Sequence, residues 1–232
     1  MAARAYRLRQ RRGALHLTDR VSAAVLVSGG GTNLQAFIDE VRERRLDLEL
    51  RVVISNNRDA GALERARRAG IADECVCNED YGGRAEFDAA LAATIDRYEP
   101  DFLMLAGFMR ILTKDFVNRY EGRILNIHPS LLPRFPGLNT HQRAIDEGER
   151  VHGSTVHFVT EALDAGPPIM QGRVPVLPDD TALTLARRVQ AIEHKIYPAT
   201  AALLAAGRVT YKDGAAWLDG KLLKEPLQYG DI

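Results

Sequence analysis

The chain has few cysteines, no long apolar run and no excess of charge of either sign. Its 232 residues include two cysteines, and Lys+Arg and Asp+Glu number 31 each. No apolar segment approaches the roughly 20 residues that a membrane-spanning helix needs, so we expect no integral membrane protein. Dedicated nucleic-acid binders usually carry a basic excess, so the balanced charge argues against that class.

The two cysteines, Cys75 and Cys77, stand one residue apart. A structural zinc site needs about four ligands, and no cluster of further ligands lies near this pair in sequence. We therefore predict no metal site and two free thiols in a reducing compartment. The cytoplasm is the expected location.

The first 20 residues differ from the rest of the chain. They contain six arginines, one acidic residue (Asp19) and no serine. Organelle transit peptides are also Arg-rich and acid-poor, but they are usually Ser-rich and amphipathic as well. We expect a disordered basic extension over residues 1–20 and a single domain over residues 21–232.

Short apolar runs alternate with helical periodicity from Val21 onwards, a pattern typical of a doubly wound α/β sheet. Strands are predicted at Ala23–Ser28, Leu48–Ser55, Cys75–Cys77, Phe102–Ala106, Ile124–His128, Ser154–Val159 and Ile169–Val176. Helices are predicted at Thr32–Arg44, Ala62–Ala69, Arg84–Tyr98, Thr113–Tyr120, Gln142–Glu147 and Thr181–Tyr197. We expect Pro198 to end or kink the last helix. The predicted fold is a Rossmann-like open, mostly parallel sheet with helices on both faces and a small C-terminal hairpin.

A glycine-rich turn, Ser28–Asn33, joins the first predicted strand to the first helix. Glycines allow a ligand to approach the backbone closely, and free N–H groups at a helix start favour an anion. The turn matches neither a Walker loop nor the GxGxxG pattern. It is therefore either a phosphate-binding loop or an ordinary tight turn.

Asn126 and His128 lie two residues apart on a predicted strand that Pro129 ends. Residues with this spacing share one face of a strand, and ligands of open α/β sheets collect at the carboxyl ends of strands. A carboxamide beside an imidazole suits a reaction that forms an oxyanion and moves a proton. The alternative is a polar pair that backbone groups satisfy.

Two further segments have an open interpretation. Asp164 lies in a loop between two predicted strands, where it is either a turn residue or a carboxylate that orients the imidazole of His128. Phe108–Leu112 follows a buried strand and either lines the pocket of a flat heterocycle or starts a core helix. Sequence spacing leaves both choices open.

Taken together, these segments resemble the phosphoribosylglycinamide formyltransferase family over about Val21 to Leu223. The resemblance rests on a set of motifs in order: Val27–Leu34, Leu105–Leu112 (LAGFMRIL), Asn126–Pro133 (NIHPSLLP), Val156–Asp164 and Gln190–Pro198. It implies formyl transfer from 10-formyltetrahydrofolate to the amine of 5-phosphoribosylglycinamide in de novo purine biosynthesis. Thr32 stands where the family frequently has serine, and the hydroxyl is kept.

The resemblance implies three sets of site residues. The catalytic set consists of Asn126, His128 and Asp164. The ribonucleotide set consists of Gly31, Thr32, Asn33, Gln190 and Glu193. The folate set consists of Arg84, Met109, Arg110, Ile111, Leu112, Asn126, Thr160, Glu161, Ala162, Leu163 and Asp164. The implied partners are these small-molecule substrates, with no nucleic acid, membrane or metal, and the chain is expected as a monomer or homodimer.

Other functions share parts of this pattern. Methionyl-tRNA formyltransferase and formyltetrahydrofolate deformylase resemble the chain in the Asn-x-His core. The first normally adds a C-terminal RNA-binding domain, and the second normally adds an N-terminal regulatory domain. We expect neither here. A nucleotide-binding module without catalysis, built on Gly29–Asn33, is the alternative from another functional class, and a formyl-transfer assay separates it from the enzyme.

Overall fold

The computed structural model describes residues 20–230 of the chain. The basic extension predicted over residues 1–20 therefore lies, apart from Arg20, outside the described residues. The strands are β1 Ser22–Val27, β2 Glu49–Ser55, β3 Ala72–Cys75, β4 Phe102–Leu105, β5 Ile124–His128, β6 Val151–Phe158, β7 Pro168–Pro175, β8 Val209–Lys212, β9 Ala215–Leu218, β10 Lys221–Leu222 and β11 Leu227–Gln228. The α-helices are α1 Thr32–Arg42, α2 Gly61–Arg68, α3 Arg84–Arg97, α4 Lys114–Arg119, α5 Thr140–Asp146 and α6 Ala182–Ala205.

Eight strands form one sheet in the order β11-β7-β6-β5-β4-β1-β2-β3. The β5–β6 and β6–β7 pairs are antiparallel, and the other neighbouring pairs of this sheet are parallel. After β1, the strands β2 and β3 are added on one side of it, and the next strand, β4, pairs with β1 on its other side. The carboxyl ends of β1 and β4 therefore meet at the reversal of strand order, where open sheets bind ligands.

Helices cover both faces of this sheet, as the sequence predicted. Alternate residues of β1 divide between two cores, because successive strand side chains point to opposite faces. Val25 and Val27 pack with residues of α1, α2 and α6, whereas Ala24 and Leu26 pack with residues of α3 and α4. The buried hydroxyl of Tyr197 on α6 lies 3.1 Å from the carbonyl oxygens of Leu105 and Leu125. It therefore ties α6 to β4 and β5.

Several local predictions are confirmed. Thr113 caps α4, accepting a hydrogen bond from the Phe116 amide at 3.3 Å. Gly70 follows α2 with a φ of 71°, the left-handed stop expected there. Strand β5 has the predicted bounds.

Within residues 20–230, the helices are too short or too polar for any of them to span a bilayer.

Pro198 does not end the last helix, so the first of the two predicted outcomes is wrong. Helix α6 continues to Ala205 with Pro198 inside it. Proline removes one helical hydrogen bond, at a cost of about 3 kcal/mol. Tyr197, Ala201 and Leu204 on both sides of it are buried in the core. Burial of that apolar face offsets the cost.

Two other predictions need correction. Cys75 and Cys77 form a disulfide with their Cα atoms 5.4 Å apart, rather than two free thiols. A separation of this size lies within the usual range for a disulfide. The predicted third strand at Cys75–Cys77 instead ends at Cys75. The predicted hairpin is a three-stranded antiparallel sheet, β10-β9-β8, and the following β11 pairs in parallel with β7 in the main sheet.

Candidate active site

Strand β5 places Asn126 and His128 side by side on one face, as their spacing predicted. The antiparallel neighbour β6 sets their partners, pairing Asn126 with His157 and His128 with Thr155. His128 is buried at 6% exposure, and Asn126 is half-buried. A buried imidazole and a partly accessible carboxamide therefore lie next to each other at the end of a strand.

His128 lies between two oxygen atoms. Its Nε2 is 2.9 Å from the carbonyl oxygen of Phe135, and its Nδ1 is 3.4 Å from Oδ2 of Asp164. A neutral imidazole carries one N–H group, whereas an imidazolium carries two and can donate to both oxygens. The fold thus places Asp164 next to His128, a contact that sequence spacing had left open.

The carboxylate of Asp164 is held in place by the main chain. The Gly137 amide donates to Oδ2 of Asp164 at 2.8 Å, and 7% of the Asp164 side chain is exposed. Asp164 itself has a φ of 50°, in the left-handed region that Asp and Asn tolerate better than most residues. The residue is both a turn residue and a neighbour of the imidazole, so the two interpretations are compatible.

His157 orients the carboxamide of Asn126. The His157 Nδ1 is 2.9 Å from the Phe158 carbonyl oxygen, and its Nε2 is 3.3 Å from Nδ2 of Asn126. Burial lowers the pKa of His157, so the ring is neutral and its Nε2 can accept the amide hydrogen. The second N–H of that amide remains to donate to a substrate. Sequence reasoning did not select His157, because its role depends on the β5–β6 pairing.

The glycine-rich turn leads into α1 with its first amides uncapped by any side chain. Gly31 has a φ of 72°, and a Cβ there would lie 2.6 Å from the Cβ of Ala62. Only glycine suits this position. Uncapped N–H groups at a helix start form a ready site for an anion.

Two side chains of α6 contact the residues that follow Gly31. Gln190 donates to the hydroxyl of Thr32 at 3.1 Å, and Asn33 donates to the carboxylate of Glu193 at 3.0 Å. Burial raises the pKa of Glu193, and hydrogen bonds from Asn33 and Ser154 oppose that rise. The predicted ribonucleotide set therefore meets at one place. The side chain of Asn33 contacts Glu193, which leaves its backbone amide for an anion.

Arg65 is a cation of this region that sequence reasoning missed. Its Nε donates to the carbonyl oxygen of Gly30 at 2.7 Å, and its Nη1 donates to Gln35 at 2.9 Å. The residue belongs to α2, which packs beneath the turn. Its positive charge beside Gly30 favours an anionic ligand. The predicted helix contains several arginines, and nothing in the sequence distinguishes Arg65 from the others as a residue near the turn.

Apart from Asn126 on β5, the predicted folate residues lie in two loops and at the start of α3. Met109 and Ile111 are exposed by 72% and 57%, although both are large and apolar. The Met109 amide donates to the hydroxyl of Ser28 at 2.7 Å, which joins the loop after β4 to the glycine-rich turn. Arg110 stacks over the ring of Phe87 at 5.0 Å. The loop is thus an exposed apolar segment, not the start of a core helix.

The second folate loop, Thr160–Asp164, is tied to α4 through Glu161. This carboxylate lies 3.1 Å from the ammonium of Lys114 and accepts from Asn118 at 3.0 Å. Leu163 remains 59% exposed. Arg84 begins α3, and its side chain forms no hydrogen bond or ion pair with another described residue. Exposed apolar side chains and a free guanidinium suit an aromatic ligand that carries carboxylates.

No cluster of three His, Cys, Asp or Glu residues suited to hold a metal ion occurs among residues 20–230. The centre around β5 consists of the carboxamide of Asn126, the imidazoles of His128 and His157, and the carboxylate of Asp164. Such a site can stabilise an oxyanion and move a proton.

The sequence profile of the formyl transferase family matches residues 21–201. The phosphoribosylglycinamide formyltransferase of Escherichia coli (strain K12) is 48% identical over 203 residues, which cover 88% of this chain and 96% of that protein. A trifunctional purine biosynthetic protein of Homo sapiens is 47% identical over 82% of this chain and 19% of its own length.

Solved structures agree with the sequence comparisons. The phosphoribosylglycinamide formyltransferase of Coxiella burnetii superposes with a TM-score of 0.87 at 48% identity, covering 91% of this chain and all of that one. A formyltetrahydrofolate deformylase of Pseudomonas syringae superposes with a TM-score of 0.79 at 25% identity, covering 87% of this chain and 66% of that one. With the family profile matching most of its length, this chain belongs to the formyl transferase family.

Proposed function

We propose that this formyltransferase moves the formyl group of 10-formyltetrahydrofolate to the amine of 5-phosphoribosylglycinamide. The products are formylglycinamide ribonucleotide and tetrahydrofolate, in de novo purine biosynthesis. The observation that carries the mechanism is the contact of His128 with Asp164 beside the carboxamide of Asn126. Relatives named as phosphoribosylglycinamide formyltransferases, 43–48% identical, support the choice of substrates.

The reaction begins when the neutral amine attacks the formyl carbon. A carbon–nitrogen bond forms, and the carbonyl oxygen becomes an oxyanion. The free N–H of Asn126 and the positive charge of protonated His128 stabilise this oxyanion. The carbon–nitrogen bond to folate then breaks, and the proton lost by the amine is passed to the leaving folate nitrogen with His128 as the acid.

Asp164 places its carboxylate 3.4 Å from Nδ1 of His128, where it orients the imidazole. The Gly137 amide fixes this carboxylate, so its position does not depend on the substrate. His157 fixes the carboxamide of Asn126 from the other side. Preorganised donors of this kind need no rearrangement as charge develops in the transition state.

The substrates are assigned to two sets of residues around this centre. The phosphate of the ribonucleotide binds at Gly31, Thr32 and Asn33, with Arg65 adding positive charge. Gln190 and Glu193 reach its ribose and glycinamide part. The folate binds against the exposed side chains of the two loops, and the guanidinium of Arg84 suits its carboxylates.

The test is the absorbance of the folate product, followed with glycinamide ribonucleotide present or omitted. We expect turnover that depends on the ribonucleotide. Turnover that is the same without it indicates a deformylase, the class of the more distant structural relative. Binding of ribonucleotide without turnover indicates a nucleotide-binding module.

The remaining assignments complete the proposal. Residues 21–232 act as a single formyltransferase domain, and the chain works as a monomer or homodimer, which sedimentation analysis tests. The proposed compartment is the cytoplasm, where the substrates are diffusible small molecules. The Cys75–Cys77 bond removes the free thiols on which the sequence-based argument for that compartment rested. Formyl-folate is the co-substrate, and the mechanism needs no metal.

A further inference from the structure

The loop between β5 and α5 contacts both members of the His128–Asp164 pair through its main chain. The Phe135 carbonyl oxygen lies 2.9 Å from Nε2 of His128, and the Gly137 amide donates to Asp164 at 2.8 Å. One backbone carbonyl therefore selects the nitrogen of His128 that carries a proton, and one backbone amide fixes the carboxylate. The geometry of the pair depends on this loop.

The loop has an unusual backbone at its contact with His128. Phe135 has a φ of 53°, a left-handed conformation that is uncommon for a bulky residue. Its ring is buried, and the guanidinium groups of Arg134 and Arg143 lie 4.9 Å and 5.3 Å from it. A conformation of this kind persists when surrounding contacts determine it fully.

Two buried polar side chains of β6 and β7 hold the first part of this loop, at Ser130 and Leu132. The hydroxyl of Thr155 donates to the Ser130 carbonyl oxygen at 2.7 Å and accepts from the Leu132 amide at 3.1 Å. The side-chain amide of Gln171 donates to the Leu132 carbonyl oxygen at 2.9 Å and to the Thr155 hydroxyl at 3.1 Å. Gln171 and Thr155 are paired across the two strands and are 4% and 0% exposed.

From this network we infer that Gln171 is a positioning residue for the reaction. Its side-chain amide hydrogen-bonds to neither His128 nor Asp164, and it acts by holding Leu132 and, through Thr155, Ser130. Replacement by an apolar residue leaves the Leu132 carbonyl oxygen buried without this partner, which favours movement of the loop. The distance from His128 Nε2 to the Phe135 carbonyl oxygen and the distance from the Gly137 amide to Asp164 then increase. The effect on catalysis rests on the proposed function.

The main test is the Gln171→Leu variant of the full chain. We expect kcat to fall roughly 10- to 100-fold, because small misplacements of a catalytic group have effects of this size. The KM values for ribonucleotide and folate should change less than about threefold, since the residues assigned to those substrates lie elsewhere. Gln142→Leu is the matched control, because this glutamine is exposed on α5 and its amide donates to Asp146. Its rate should equal that of the wild type.

A second measurement reports directly on the position of the His128 ring. The Nε2–H of His128, which faces the buried Phe135 carbonyl, should give a slowly exchanging imidazole signal in the ¹H–¹⁵N NMR spectrum. The signal is assigned by its loss in His128→Asn. We expect it to vanish or broaden in Gln171→Leu and to persist in Gln142→Leu. A purely structural role for Gln171 lowers the melting temperature and leaves this signal and kcat unchanged, which overturns the inference.

Thr155 provides a test that does not depend on the folding of Gln171→Leu. Thr155→Val removes the hydroxyl at nearly constant volume, whereas Thr155→Ser keeps it. We expect the valine variant to lose the His128 signal and the serine variant to recover it together with most of the rate. Equal spectra for the two variants contradict the network. If the wild type shows no ribonucleotide-dependent turnover, the proposed function fails, and the NMR comparison still decides whether Gln171 positions His128.

Discussion

Oδ2 of Asp164 lies 3.4 Å from Nδ1 of His128, although a loop, helix α5 and strand β6 separate the two residues in sequence. The carboxylate and the imidazole are both shielded, with 7% of each side chain exposed. Shielding reduces the screening of their interaction by water and salt. The charge of Asp164 therefore acts on His128 at close range.

Asp164→Asn should reduce kcat by about 10²- to 10⁴-fold, the range typical of lost general acid–base catalysis. The variant keeps the size of the side chain and removes its charge. The KM for the ribonucleotide should change little, because its phosphate is assigned to Gly31–Asn33. Steady-state kinetics test both statements. Asp213→Asn is a suitable control, since Asp213 also has a left-handed φ, 52°, and lies in the β8–β9 turn. An unchanged kcat in Asp164→Asn would leave this aspartate as a turn residue alone.

Thr32→Val should raise the KM for the ribonucleotide roughly 10- to 100-fold, because a hydrogen bond to a charged group contributes about 1.5–3 kcal/mol. The KM for folate should stay nearly constant. Thr32→Ser keeps the hydroxyl that accepts from Gln190 and serves as the control. Equal increases in both KM values would contradict the assignment of this turn to phosphate.

His157→Phe should lower kcat about tenfold, because the carboxamide of Asn126 loses the acceptor that orients it. A double-mutant cycle with Asn126→Ala measures the coupling. We expect the double variant to be little slower than Asn126→Ala, since the two residues act through one amide. Additive losses would show that His157 works independently of Asn126. Melting temperatures of all variants report any loss of folding.

The free energy of unfolding should decrease as the pH falls from about 6.5 to about 4, in part because of His152. Burial, and secondarily the neighbouring His141, lower the pKa of His152 from its ordinary value of 6.5 to about 4. The unfolded chain therefore binds the proton more tightly, so stability is complete above pH 6.5 and is lost as the pH falls. The loss from this residue is roughly 3 kcal/mol at most.

The measurement is urea unfolding of the wild type and His152→Asn from pH 8 to pH 5. Asparagine keeps a polar N–H group that can donate to the Pro129 backbone, and it does not titrate. At pH 8 the variant should have a lower free energy of unfolding than the wild type, because it loses packing contacts. We expect this difference to narrow toward pH 5, since only the wild type loses stability through protonation of His152. A gap that stays constant over the range would exclude His152 as a source of acid sensitivity.

Chelation should leave the rate of formyl transfer unchanged, because the proposed mechanism uses Asn126, His128 and Asp164 without a Lewis acid. The assay compares enzyme dialysed against a chelator with untreated enzyme. Loss of activity that zinc restores would contradict the mechanism.

Local sequence patterns were sufficient to predict the architecture of the sheet and its helices. The alternation of apolar runs and helical periodicity predicted the mostly parallel sheet with helices on both faces, and β5 was placed at its observed bounds. Such patterns work because each element must bury its own apolar face. The same local reasoning failed to predict that the last helix continues past Pro198, where packing of Tyr197 and Ala201 outweighs the intrinsic cost of proline in a helix.

The sequence by itself placed Asn126 and His128 on one strand face, because the period of a strand is two residues. Only the tertiary structure decided that Asp164 faces His128, that His157 orients Asn126, and that Gln171 holds the loop through Leu132. These contacts join residues from different strands and loops. Their distances depend on strand order, register and the path of a loop, and no local pattern encodes those quantities.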